Sequence, residues 1–223
     1  MTLPFTVADF LDVLRQYNAA TWPAPIVLPL VGLICAWSLL SDRPAARRAS
    51  LMLLGGLWAW AALAYHIAFF ASVNPAAYWF GAAFLLQAGM FFYASRHPRM
   101  TTQRLDISRF VGGAIIAFAL VVYPALAYLA GHRYPETPTF GLPCPTTIFT
   151  IGVLATLGNE LSWRYAVIPL LWALVGTSAA LELGMTEDLS LGLAAVALLA
   201  LMVARLRAAP RASVHAVGGA RGW

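Results

Sequence analysis

"SLMLLGGLWAWAALAYHIAFFAS" (residues 50–72) runs for 23 residues without a charged side chain, the length an α-helix needs to cross the hydrocarbon core of a bilayer. Similar runs of about 18 to 23 residues recur near 23–40, 77–95, 109–131, 164–183 and 188–206, with a shorter one near 145–160. With 61% hydrophobic and 10% charged residues, the chain departs from the roughly one-quarter charged content of soluble domains. The gaps between the runs are too short to hold a soluble core. These patterns predict an all-α, polytopic transmembrane bundle of about seven helices. It forms a single integral-membrane domain over 1–207, with a flexible cytoplasmic tail at 208–223. The run at 145–160 is short and close to its successor, so it reads as tilted or re-entrant.

The charge excess of +5 comes from 14 Arg and no Lys. The Arg fall in short clusters between apolar runs and make no continuous basic face, which excludes a nucleic-acid surface. Without lysine there is no retinal Schiff base. No P-loop, GxSxG or GxGxxG pattern points to nucleotide, acyl or dinucleotide chemistry, and no inverted repeat of the transporter kind is visible. Residues 1–22 are interrupted by Asp9, Asp12 and Arg15, so they do not read as a secretory signal.

Seven crossings would alternate the connections between two sides. Twelve Arg then share one side: Arg43, Arg47, Arg48, Arg96, Arg99, Arg104, Arg109, Arg164, Arg205, Arg207, Arg211 and Arg221. Only Arg15 and Arg133 fall on the other. Positively charged loops stay cytoplasmic, which predicts the N-terminus outside and the C-terminus inside. Asp9, Asp12, Glu136, Glu182, Glu187 and Asp188 gather outside, against Asp42, Asp106 and Glu160 inside.

Before the first span, "TVADFLDVLRQYNAATW" (6–22) begins with Thr6 and Asp9 at capping-box spacing. Val7, Phe10, Leu14 and Tyr17 follow at helical spacing. This predicts an interfacial amphipathic helix over 6–20, serving either as an anchor or as a lid with Asp9 or Asp12 turned inward.

Polar residues inside spans are costly and face a bundle interior or a wet cavity. His66 lies about nine residues before the turn at Asn74 and Pro75, hence about 13 Å below it. Gln87 sits mid-span, and Pro124 after Tyr123 predicts a kink.

The most unusual segment is "GHRYPETPTFGLPCPTT" (131–147). Its prolines bias it to a stiff, extended strap. Thr146 or Thr147 would cap the following helix, with Cys144 just before the helix start, where backbone N–H groups favour a thiolate. Cys35, deep in the first span, cannot reach Cys144. Three uses follow. His66, His132 and Cys144, with Glu136 nearby, could hold a soft or borderline metal ion. Arg133 and the helix N-terminus could receive an anion. Otherwise the strap only plugs the bundle, with Arg133 paired to Glu136.

Four stretches, "LPFTVADFLDVLRQYN", "YHIAFFASVNPAAYWFGAAFLLQA", "GHRYPETPTFGLPCPTTIFT" and "IPLLWALVGTSAA", resemble a family of small bacterial integral-membrane proteins known only as a domain of unknown function. The resemblance implies a bacterial inner (cytoplasmic) membrane protein and carries no activity or site residue with it. The residues therefore point to binding or transport of a small solute or metal ion from the outer face. The candidate pocket is His66, Asn74, Gln87, Tyr123, His132, Arg133, Glu136 and Cys144. Transport would add a polar route continuing toward Glu160 and Arg164. Alternatives are a metal- or haem-holding membrane enzyme or redox accessory using His66 and His132, and a packing subunit of a larger complex or homo-oligomer. The constant partner is the lipid bilayer.

Overall fold

A computed structural model describes residues 4–41, 43–97, 107–158 and 162–218, with side chains up to 207. Among the described residues, regular structure is helical: α1 (Val7–Ala20), α2 (Ala24–Leu39), α3 (Pro44–Trp60), α4 (Ala77–Arg96), α5 (Ile107–Ala117), α6 (Tyr123–Leu129), α7 (Pro143–Leu157), α8 (Arg164–Leu183) and α9 (Leu189–Gly218). Each apolar run read from the sequence forms helix. The predicted tail is helical as far as Gly218. Asp42, Arg99, Arg104, Asp106, Glu160 and Arg221 lie outside the described residues.

Two long rods contain π-helical turns. α3 continues through Ala61–Ile67, and Phe118–Val122 joins α5 to α6. Pro124 has no N–H to give the preceding turn. The kink expected there takes the form of these wider turns, and the rod Ile107–Leu129 is not broken.

Five stretches are long and apolar enough to cross a membrane: Pro44–Ser72, Ala77–Arg96, Ile107–Leu129, Arg164–Leu183 and Thr186–Arg207. α1 and α2 meet that test only together, and they are bent 82° apart, so α1 lies across the end of α2. α7, with 15 residues, falls short.

The packing explains why α7 can be short. α2 packs on α3, α3 on α4, α4 on α8, α8 on α9 and α9 on α5, while α2 meets the π-helical turns after α5. These six rods form a closed ring, and α7 fills it, touching α2, α3, α5, α8 and α9. Its residues from Thr146 to Ala155 are all buried. A helix walled by protein does not have to match the lipid in length or composition, which accounts for four threonines among 15 residues. The ring helices show apolar side chains outward instead, among them Leu30, Ile34, Leu86, Val121, Leu174 and Leu193, each more than half exposed. That is the pattern of a lipid-facing surface.

Several polar groups around α7 are satisfied by specific bonds, while the hydroxyls of Thr146 and Thr147 are buried without a partner. The indole of Trp58 on α3 donates to Thr150 Oγ1 at 2.8 Å, and that hydroxyl donates to the Thr146 carbonyl. Arg205 on α9 donates to the Ala155 carbonyl at 2.9 Å, placing a cation at the C-terminus of α7 where the helix dipole favours it. Cys35 and Ser50 exchange bonds between α2 and α3, each side chain donating to the other's carbonyl.

α5 and α7 approach each other through glycine. A Cβ added to Gly152 would stand 2.8 Å from the Gly112 carbonyl oxygen, and one on Gly112 would stand 2.6 Å from that of Gly152. Gly113, beside it, has nothing within 4 Å. Helices in membranes use such small residues to bring backbones together. Gly152→Ala should therefore lower unfolding stability by about 1–3 kcal/mol, because the clash is with backbone. Gly113→Ala should be neutral or slightly stabilising. Thermal unfolding of the purified variants in detergent reads the difference.

Candidate ligand pocket beneath the strap

Where α1, the strap of residues 131–142 and the α8–α9 turn converge, they cover one end of the ring. α1 begins with the expected capping box: the Asp9 N–H donates to Thr6 Oγ1 at 3.2 Å, and the Thr6 N–H donates to Asp9 Oδ2 at 2.9 Å. The bond from the Thr6 backbone, with that from its hydroxyl, holds the Asp9 carboxyl below its usual pKa. The inward face differs from the predicted stripe. Val13, Leu14, Tyr17 and Asn18 are buried, Phe10 is half-buried, and Val7 is exposed. Neither acid turns inward. Asp9 caps the helix, and Asp12 binds Arg15 and Gln16.

Asn18 organises this end. Its amide nitrogen donates to the carbonyls of Pro135 (2.6 Å) and Thr137 (2.8 Å), and its amide oxygen accepts from Thr139 Oγ1 (2.8 Å). The Tyr134 hydroxyl donates to the Asn18 carbonyl at 3.2 Å. The middle of the strap forms no regular helix or sheet, so this buried side chain supplies partners for two of its carbonyls. Tyr17, the neighbouring residue, accepts at 2.7 Å from the Trp60 indole of α3. α1 is therefore bolted to both the strap and the ring.

Beneath the strap lies a cavity of about 280 Å³ bordered by α1, α8, the end of the α3 rod and residues 142–145. Phe5, Phe10, Tyr65, Phe70, Phe80 and Trp172 supply its aromatic wall, and Asn74, Cys144, Glu182 and Asp188 reach it as well. Cys144 stands in the first turn of α7, not before it. The helix starts at Pro143, with Leu142 as an extended cap residue that makes no side-chain bond. The expected Thr146 or Thr147 cap does not form, because both side chains are buried inside the helix.

At the cavity's polar end, the Tyr123 hydroxyl donates to Asp188 Oδ1 at 2.5 Å, and Cys144 lies within hydrogen-bonding reach of the same carboxylate. Next to it, His132 Nδ1 stands 2.8 Å from Glu187 Oε1, whose side chain is fully buried. That contact is one of charge proximity, since His132 Nδ1 and both Glu187 carboxylate oxygens are buried without a hydrogen-bond partner. Two neutral donors and one imidazole, from the rod Ile107–Leu129, the strap and α7, thus converge on the turn before α9.

His66 is fully buried in the π-helical segment Ala61–Ile67 and neither ring nitrogen has a hydrogen-bond partner. Its ring lies 4.7 Å from Phe84, 5.0 Å from Trp172 and 5.9 Å from Phe80, centroid to centroid, behind the aromatic wall.

The structure thus separates the predicted site residues. Asn74 and Cys144 line the cavity. Tyr123 reaches it through Asp188, and together with His132 it also lines a second cleft of about 230 Å³ against α2. Gln87 does not join them; it donates to the Tyr165 carbonyl at 3.1 Å between α4 and α8. Arg133 is exposed and covers the Tyr128 ring at 3.4 Å, so it neither pairs with Glu136 nor faces the cavity. Glu136 is exposed and lies 4.0 Å from Arg15. The proposed metal set of His66, His132 and Cys144 does not assemble. Among the described residues no three His, Cys, Asp or Glu side chains come together as an ion-holding group, since His132 is engaged by Glu187 and His66 is enclosed by rings.

Sequence reasoning missed the central roles of Asp188, Glu187, Trp172 and Asn18. The acids in "MTEDLS" were legible as a polar start to the last span. Their partners lie 65 and 55 residues earlier, at Tyr123 and His132, and no local spacing signals that.

The chain belongs to a family of unknown function, DUF6064, whose model matches residues 7–213. No curated protein and no solved structure matches it.

Asn18→Ala should leave two carbonyls and a hydroxyl of the strap without a partner, at a cost of about 1–3 kcal/mol. Hydrogen exchange should rise across residues 134–139 while α7 stays protected. Uniform loosening of both would instead mean that Asn18 supports the whole ring.

Proposed function

We propose that this member of the family is a multi-pass inner-membrane protein that binds a small solute from the outer face, in the cavity beneath the strap. One observation carries the reading: a cavity of about 280 Å³ joins six aromatic side chains to a buried Asp188 carboxylate and the Cys144 thiol. An apolar enclosure with a few convergent polar groups is the usual form of a small-molecule site. The Arg distribution supports the orientation, with α2 and α7 counted as crossings, the strap outside and the C-terminus in the cytoplasm.

Transport would need the path to continue toward Gln87, Arg164 and Glu160. Glu160 lies outside the described residues. Below the cavity stand the rings of His66, Phe84 and Trp172, then the Trp58–Thr150 pair within the apolar core. The reading is therefore capture in a state closed toward the cytoplasm. A haem- or metal-holding enzyme is less well supported, because His66 and His132 are already enclosed or paired.

Ala179 lines the cavity, so Ala179→Trp should fill it. Native mass spectrometry of protein drawn from its own membranes should show a small molecule on the wild type and none on the variant. Identical spectra for the two proteins would refute the reading. For the orientation, cysteines placed singly at Glu136 and Arg211 in a background lacking Cys35 and Cys144 should differ. The first should react with an impermeant maleimide in intact cells, and the second only after the membrane is opened; the reverse order would invert the topology.

A further inference from the structure

Resting on that reading, we infer that the solute is a lipophilic organic cation: a small amine or quaternary ammonium compound with an apolar body. Three features of the cavity select this class. Among the described residues its charged lining side chains are Glu182 and Asp188, and no Arg or His lines it. Its wall is aromatic on several sides, with Phe5 and Phe10 from α1, Tyr65 and Phe70 from the α3 rod, Phe80 from α4 and Trp172 from α8. Ring faces attract an ammonium group without forming hydrogen bonds, and do so more strongly where water is excluded. An anion would meet carboxylates and the negative faces of these rings, and a sugar or other polyol would find few polar partners.

The third feature is an imbalance of charge. Glu187 and Asp188 are adjacent and buried, and the imidazole nearby is held by Glu187 at 2.8 Å. Asp188 accepts from the Tyr123 phenol and faces the Cys144 thiol, both neutral donors, while the His132 imidazole acts on it through space. A buried carboxylate is best compensated by a cation with good geometry, and a ligand ammonium in the cavity would add a direct countercharge that the phenol and thiol do not supply. The route of access fits the same class. Val175, Ser178 and Glu182 border the cavity and belong to the exposed side of α8. An amphipathic cation dissolved in the bilayer surface could therefore pass between α8 and α1.

The test uses the full chain in nanodiscs of zwitterionic lipid, with benzyltrimethylammonium as the probe. Neopentylbenzene, which has the same shape with carbon in place of the charged nitrogen, is the control. Calorimetric titration should show the cation binding the wild type well ahead of the neutral probe. Asp188→Asn should weaken the cation by about tenfold or more and leave the neutral probe unchanged. Because Asp188→Asn perturbs a buried network, Phe10→Leu gives a second arm on the half-buried face of α1. It should weaken the cation several-fold while the melting temperature holds. Equal binding of both probes, insensitive to Asp188→Asn and to Phe10→Leu, would overturn the cation class and leave the cavity standing as a solute site. Binding of neither probe to protein of wild-type melting temperature would also overturn it. The mass-spectrometric comparison then judges the cavity on its own.

Discussion

A helix enclosed on every side by other helices has no solvent and no lipid to turn its polar groups toward, and α7 is in that position. Polar groups there gain from partners within the protein, because an unpaired polar group in such surroundings costs more than the net value of a hydrogen bond, although the hydroxyls of Thr146 and Thr147 are buried without one. The Trp58–Thr150 bond and the Arg205 bond to Ala155 follow from this requirement. So does the glycine contact with α5, which lets one backbone rest on another. Enclosure also fixes where the first turn of α7 emerges. The strap must deliver the chain to the axis of the ring, and this carries Cys144 to a place where Asp188 can meet it.

Asymmetry between the two ends follows from the same plan. Among the described residues, Arg43, Arg47, Arg48, Arg96, Arg109, Arg164, Arg205 and Arg207 lie along the loops and helix ends opposite the strap, while two buried acids sit where the chain turns from α8 into α9. Glu187 and Asp188 occupy the short 3₁₀ turn that leads into α9. The positive end of that helix's dipole lies beside them and favours their charge. The remaining compensation comes from far along the chain.

Much of this architecture could be read from the amino acids. Seven apolar runs mark the seven rods, Thr6 and Asp9 announce the first helix, and the prolines of 135–145 foretell an extended strap. Period and composition carry these features because each is local. The site was legible in pieces only. Cys144, Asn74 and Tyr123 stood out as polar groups among hydrocarbon, but so did Arg133, Glu136 and Gln87, which the fold sends to the surface or to a helix contact. Which polar residue turns inward depends on the rotation of each rod about its own axis. Neighbours far away in sequence decide that rotation. The π-helical turns around His66 and ahead of Pro124 illustrate the limit, since each shifts the facing of every later residue in its rod and neither leaves a pattern in composition.

The three side-chain bonds of Asn18 reach residues 117 to 121 positions further on. During synthesis the first helix is made before more than half of the chain that will hold it. Until the strap has followed, its buried face has only the α3 rod to rest on, through Tyr17 and Trp60. The cavity needs still more, because Asp188 arrives after α8 is complete. A nascent chain stopped before that point has a partly built ring and no site. The polar end of the cavity is therefore completed only once α8 and the turn into α9 have been made.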